Sequence, residues 1–120
     1  MPHKMTSSLS PAMRQCIDQC LHCFATCQET MAHCLKLGGR HAEATHIATL
    51  QDCALLCATS AELMTRNSPY HHDTCVLCAE ACRRCADDCE RVDAKDAMMQ
   101  ECAAECRSCA DACDRMVGGV

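Results

Sequence analysis

The sequence predicts an all-α fold, an antiparallel four-helix bundle with a cysteine-lined core. Three observations predict it. Helix-stop signals cut the chain into four segments of 22 to 27 residues joined by very short connections, which favours up-down-up-down antiparallel order. No segment shows the period-two alternation of a strand. The cysteines recur at spacings of three and four, the period of one helix face.

The elements follow in order. Residues 1–9 read as a disordered tail and residues 10–120 as one bundle domain. Segment one runs from about Pro11 to Leu37, with Ser10 as N-cap and Pro11 at the first helical position. Gly38-Gly39 stops it. Segment two covers about Arg40 to Arg66 and is rich in Ala and Leu, ending at the break Asn67-Ser68-Pro69. Segment three covers about Tyr70 to Arg91, with Ser68 available as a cap. A weaker break at Val92-Asp93 precedes segment four, about Ala94 to Val117, with Asp93 as cap and Asp96 in its first turn. Gly118-Gly119 ends it.

Segment one carries Cys16, Cys20, Cys23, Cys27 and Cys34, and segment two only Cys53 and Cys57. Segment three carries Cys75, Cys78, Cys82, Cys85 and Cys89, and segment four Cys102, Cys106, Cys109 and Cys113. At about 100° per residue each set falls within an arc of roughly 60°, or about 80° for segment three. Cysteine thus takes the positions where a bundle normally places Leu, while Arg83, Asp87, Glu90 and Arg91 mark a charged outer face. One or two buried cysteines would read as small inert hydrophobes. Sixteen on four inward faces leave volume that close packing does not tolerate. Metal ions bridging the sulfurs fill that space.

Neighbours at i, i+3 and i+4 point the same way, so two thiolates of one helix can clamp one ion. Soft thiolate sites suit Cu(I), Zn or iron–sulfur clusters. Zinc favours closed four-ligand sites on loops that break helices, and no such break separates these cysteines. The ferredoxin run C-x2-C-x2-C is absent. Rows of paired thiolates fit multiple Cu(I) ions, with roughly one ion per cysteine if each thiolate bridges two. Disulfides within a helix are geometrically awkward. A thiol redox sensor or a zinc buffer on the same bundle is the alternative, and a thiol-dependent enzyme a weaker one. The pattern singles out no nucleophile with a positioned base, so the chain reads as a non-enzyme.

Extending the cysteine arcs brings other donors toward the core. Met31 lies between Cys27 and Cys34 on the same stripe, His46 two turns before Cys53, and Met64 two turns after Cys57. Met98 and Met99 straddle the line through Cys102, while Met116 follows Cys113, and Met13 and His71 begin their stripes. His22 and His33 fall on the outer face of segment one, and His3, His41 and His72 have no inward claim. Antiparallel order groups Met31, Cys34, His46, Cys89, Met98, Met99 and Cys102 at one end. It groups Met13, Cys16, Met64, His71, Cys75, Cys113 and Met116 at the other. The first end, richer in imidazole and thioether, is the expected copper entrance, because weak ligands pass ions inward without trapping them. Met as a plug and His as a cap are the plain alternatives.

Net charge is −5, which argues against nucleic acid as a partner. No stretch approaches the apolar length of a membrane span, so no membrane association is expected. The N-terminus lacks the apolar run of a secretory leader, and the expectation is a cytoplasmic chain with reduced thiols. Apolar residues beside the stripes, among them Ile17, Leu21, Phe24, Leu35, Ile47, Leu55 and Ala58, favour a homo-oligomer. A copper chaperone as donor is an alternative the residues leave open.

The motifs together resemble the bacterial copper storage proteins, in the cytosolic branch without an export signal. The residues that carry this are Cys16-x3-Cys20-x2-Cys23-x3-Cys27, His33-Cys34-Leu35 before Gly38-Gly39, and His71-His72-Asp73-Thr74-Cys75-x2-Cys78-Ala79-Glu80-x-Cys82. Cys102-x3-Cys106-x2-Cys109-x3-Cys113 continues the pattern. The resemblance implies a four-helix bundle, assembled as a tetramer, that holds many Cu(I) ions on inner cysteines. It also implies that His, Met or Asp residues near one end assist admission, with His46 as the mouth residue here. Two departures stand out: segment two has only two cysteines, and Met98-Met99 precedes the cysteines of segment four.

Overall fold

The computed structural model describes residues 9–118. Helix α1 spans Pro11–Leu37, α2 spans Ala44–Thr65, α3 spans His71–Asp93 and α4 spans Ala97–Gly118. Each helix packs against two neighbours, α1 and α3 both lying between α2 and α4. The result is a square, up-down-up-down bundle measuring 49 × 30 × 20 Å.

Local chemistry sets the ends. Ser10 caps α1, its Oγ accepting from Met13 N at 3.1 Å, with Pro11 at the first helical position. Gly38, at φ +72°, ends the helix and donates its N–H to Cys34 O, a conformation open to residues without a Cβ. The chain does not re-enter an α-helix at Arg40 as the sequence suggests. It forms a 3₁₀ turn over Gly39–Ala42, and α2 begins at Ala44. Long-range contacts hold that turn: Arg40 donates to Arg91 O at 3.0 Å, and His41 Nε2 lies 3.1 Å from Asp93 Oδ2.

Helix α2 closes in a Schellman motif. Ser68 N donates to Leu63 O and Asn67 N to Met64 O, with Asn67 at φ +54°. Ser68 acts just before α3, its Oγ accepting from Tyr70 N at 3.2 Å. Helix α3 runs two residues past the expected Arg91, because Val92 is buried and keeps the last turn on the core. The break therefore falls at Ala94–Asp96 instead of Val92-Asp93. Asp96, not Asp93, caps α4 by accepting from Met99 N at 3.0 Å, while Asp93 accepts from Lys95 N. The expected tail at 1–9 lies outside the described residues except for Leu9, which is partly buried against the core. Gly119 and His3 also lie outside them.

All sixteen cysteines are buried, none more than 1% exposed. Alanines beside them, including Ala54, Ala79, Ala86, Ala103 and Ala110, are buried as well and let the helices approach closely. Large hydrocarbon is scarce: Leu50, Met64 and Met99 are the bulkiest fully buried side chains. Leu50 and Ser60 occupy the inward positions on either side of Cys53 and Cys57, which is why α2 is poor in sulfur. No helix among the described residues is long and apolar enough to cross a membrane.

Candidate metal centre

The inward stripes bring thiols of all four helices to one axis. Closest are Cys53 and Cys82, with Sγ atoms 3.6 Å apart, followed by Cys57–Cys78 and Cys20–Cys109 at 3.7 Å. Cys23–Cys106, Cys53–Cys106, Cys57–Cys82 and Cys57–Cys109 stand at 3.8 Å. Cys16–Cys113, Cys20–Cys113, Cys27–Cys106 and Cys78–Cys82 stand at 3.9 Å. Every cysteine is free, and these separations are far beyond the ~2.05 Å of a disulfide bond.

Two sulfurs 3.8 Å apart would subtend about 110° at an ion with metal–sulfur bonds of ~2.3 Å. That angle belongs to a three- or four-coordinate soft ion. Four-sulfur groupings overlap along the axis: Cys20, Cys78, Cys109 and Cys113; Cys57, Cys78, Cys82 and Cys109; Cys23, Cys53, Cys57 and Cys82. Cys23, Cys27, Cys53 and Cys106 follow, then Cys27, Cys85, Cys102 and Cys106. Members of each lie within 4.8 Å of one another, and neighbouring groupings share sulfurs.

Charge separates the candidate ions. A thiolate bridging two ions, at about one Cu(I) per sulfur, leaves the core close to neutral. Four closed zinc sites would use the same sulfurs and bury a charge of about −8. The shared, dry network favours the monovalent ion.

Burial pushes the Cys34 thiol up to about 11, so it is neutral near pH 7. Within the network, hydrogen bonding drives neighbours apart: Cys106 is raised through Cys102, and Cys23 is lowered through Cys106. Desolvation acts upward on both.

One end is built differently. His46 is fully buried, with Nε2 3.4 Å from Cys34 Sγ and Nδ1 2.6 Å from Asp88 Oδ2. Cys34 Sγ also meets Met99 Sδ at 3.6 Å. Asp88 Oδ1 accepts from Arg91 Nε at 2.9 Å, and Arg91 lies 3.6 Å from Glu43. Burial works to raise the Asp88 carboxyl, but His46 and Arg91 together hold it below its ordinary value. A carboxylate on one ring nitrogen fixes the imidazole's orientation and aims the other at a ligand. Outside this layer His33 Nε2 lies 2.9 Å from Asp96, and its ring meets that of His41 edge-on at 6.4 Å.

Several donors sit elsewhere than the stripes suggest. Met31 is only partly buried and turns into a groove shared with Phe24, Gln28 and Ala54. Thr30 is fully buried instead, its hydroxyl donating to Thr26 O. Thr30 and Met31 flank the α1 stripe on opposite sides, and the smaller residue takes the inward side. Of the methionine pair, Met99 is buried and Met98 half-buried. His33, expected on the outer face, is partly buried at the mouth end, and His41 joins it. His22 is exposed beside Glu105. At the far end Met64 is buried with its Sδ 3.8 Å from Cys75 Sγ, Met13 is buried, and His71 and Met116 are half-buried.

Asp88, Asp93 and Asp96 were not legible as site residues. Asp88 is one residue off the stripe at Cys89, and only its spacing of three from Arg91 hints at a positioned carboxylate.

Comparison with known proteins converges on the same chemistry. Residues 10–118 match the model of the family described as copper storage protein (Csp). The Nitrosospira multiformis protein Nmul_A1745 superposes with a TM-score of 0.83 at 39% identity, covering 91% of this chain and 97% of that one. Cu(I)-bound copper storage protein BsCsp3 gives 0.82 at 30% identity, covering 88% and 98%. A cytosolic copper storage protein from Streptomyces lividans, holding five coppers, gives 0.78 at 31% identity, covering 91% and 94%. The Streptomyces lividans Ccsp is also known loaded with 10 copper equivalents.

Proposed function

The chain belongs to the copper storage protein family, and from that premise we propose that its sixteen core thiols store cuprous ions. The observation that carries this is the run of sulfur–sulfur separations between 3.6 and 3.9 Å linking all four helices. Each thiol loses its proton on loading, and each thiolate then bridges ions along the axis. The ligands proposed are the cysteines, with His46 and Met99 serving at the mouth. Nothing in this role requires a turnover step, and the chain is read as a non-enzyme. A cytoplasmic setting agrees with reduced thiols and with the Streptomyces lividans protein being named cytosolic.

Anaerobic titration with Cu(I) against a chromophoric chelator tests the reading. On the order of a dozen ions per chain are expected, with about one proton released per thiolate formed. Because burial raises Cys34 to about 11, protons compete for it at every pH below that. Affinity should therefore strengthen as pH rises toward that value and weaken as pH falls. Uptake of only one or two ions would sink the proposal.

His46 is proposed as the admitting ligand, because Asp88 holds its Nδ1 and directs Nε2 toward Cys34. His46→Leu should slow the first phase of copper uptake roughly tenfold, corresponding to about 1.4 kcal/mol, while total capacity falls by about one ion. Stopped-flow loading measures this, and an unchanged rate would count against the mouth assignment.

Assembly as a homo-oligomer, a tetramer by the family resemblance, is supported by apolar surface outside the core. Leu55 and Leu77 are 63% and 51% exposed, and with Leu56 and Ala81 they line a groove of about 340 Å³ between α2 and α3.

A further inference from the structure

The end of the bundle opposite His46 contains two buried polar atoms without a hydrogen-bond partner, Ser60 Oγ and His71 Nδ1. Both lie on inward stripes. Ser60 is fully buried between Cys57 and Met64 on α2, and His71 stands one turn before Cys75 on α3. An unpaired buried acceptor or donor costs about 1–3 kcal/mol, so two at one end point to a role in another state of the core. In that layer Cys16 Sγ lies 3.9 Å from Cys113 Sγ, and Cys75 Sγ lies 3.8 Å from Met64 Sδ.

We propose that this end carries a terminal Cu(I) site of mixed nitrogen and sulfur donors: His71 Nδ1 with the thiolates of Cys16, Cys75 and Cys113. The inference rests on the storage reading and adds to it a second, distinct site at the far end. Its chemistry is self-consistent. A neutral imidazole offers the Nδ1 lone pair to a soft ion and keeps its proton on Nε2. The thiols that bind give their protons to solvent. Ser60 Oγ has no sulfur within hydrogen-bond reach in the metal-free core, so it gains a partner only as loading draws a thiolate toward it. His71 Nδ1 thus acquires a partner in the loaded state that it lacks in the metal-free core. His71 is half-buried, so the site joins the dry core to solvent, and copper at this end can leave without returning past His46.

Two measurements on the full chain test it. In ¹⁵N-histidine-labelled protein titrated anaerobically with Cu(I), the His71 Nδ1 resonance should move as the chain approaches saturation. In His71→Ala, total uptake should fall by about one ion, and chelator should strip the remaining copper at a rate changed severalfold from wild type. Helix content by circular dichroism checks that this variant folds, and the labelled wild type needs no variant. Normal multi-ion uptake with a stationary His71 resonance would overturn the far-end site and leave storage standing. Failure of multi-ion uptake altogether would overturn both.

Discussion

Removing copper from the loaded protein is expected to lower its melting temperature by roughly 20 °C or more. The core explains the size of the effect. Apart from Leu50, Met64, Met99 and a few residues toward the ends such as Met13, Ile17 and Val92, the buried apolar positions hold small thiols and alanines, so the copper-free chain buries little hydrocarbon for its length. Burial of apolar surface is the main favourable term in folding, and here much of it is absent. Ligand binding to the native state supplies the difference. A site held at a hundred times its Kd adds about 2.7 kcal/mol. In a chain of this size about 1 kcal/mol moves Tm by ~4 °C. Each such site is then worth about 11 °C, so two suffice for the predicted shift, and the core offers more. Anaerobic calorimetry on copper-free, half-loaded and fully loaded protein should show Tm climbing with each increment. A total shift of only a few degrees would mean that the helices are already held by their hydrocarbon flanks and caps.

The fold was readable because its strongest signals are local. Ser10, Pro11 and Gly38 mark α1 at both ends, and the structure places its bounds at Pro11 and Leu37. The sulfur stripe was readable for the same reason, since spacings of three and four have one helical meaning. What escaped the sequence depends on neighbours far away in the chain. The 3₁₀ turn is tied by Arg40 to the carbonyl of Arg91, 51 positions on, and no local pattern announces that bond. Met31 and Thr30 sit on either flank of one stripe, and only the position of α2 decides which turns inward. Asp88 lies off the stripe of its own helix and becomes a site residue because His46 of α2 meets it. His33 likewise reads as an outer residue until Asp96 of α4 is placed 2.9 Å from its ring. Periodicity thus fixes the centre of a helix face, whereas its edges belong to the tertiary structure.

The second large effect is expected at the sparsest helix. Helix α2 contributes only Cys53 and Cys57, yet the shortest sulfur–sulfur contacts of the core meet on them. Toward the mouth, Cys23 and Cys27 both contact Cys106. Toward the far end, Cys109, Cys20, Cys113 and Cys16 form one chain of contacts, and Cys78 and Cys82 another. Cys53 joins Cys106 to Cys82, and Cys57 joins Cys82 and Cys78 to Cys109. The tightest contacts between these clusters, at 3.6 to 3.8 Å, run through those two cysteines, while Cys23 with Cys82 and Cys82 with Cys109 offer wider links within 4.8 Å. Ser is close in size to Cys but a poor ligand for a soft ion, so the double variant Cys53→Ser, Cys57→Ser keeps the bundle's shape while removing the tightest links in the middle of the network. If each thiolate bridges two ions, on the order of four ions lose a ligand. Capacity should therefore fall by about four ions, not by the two that independent sites would lose. Loading should also split into two phases, a fast one for sulfurs near His46 and a slow one for those beyond the cut. Competition titration measures the first effect and stopped-flow absorbance of the copper–thiolate chromophore the second. Single-phase filling with two ions lost would show that copper reaches the far sulfurs without passing Cys53 and Cys57.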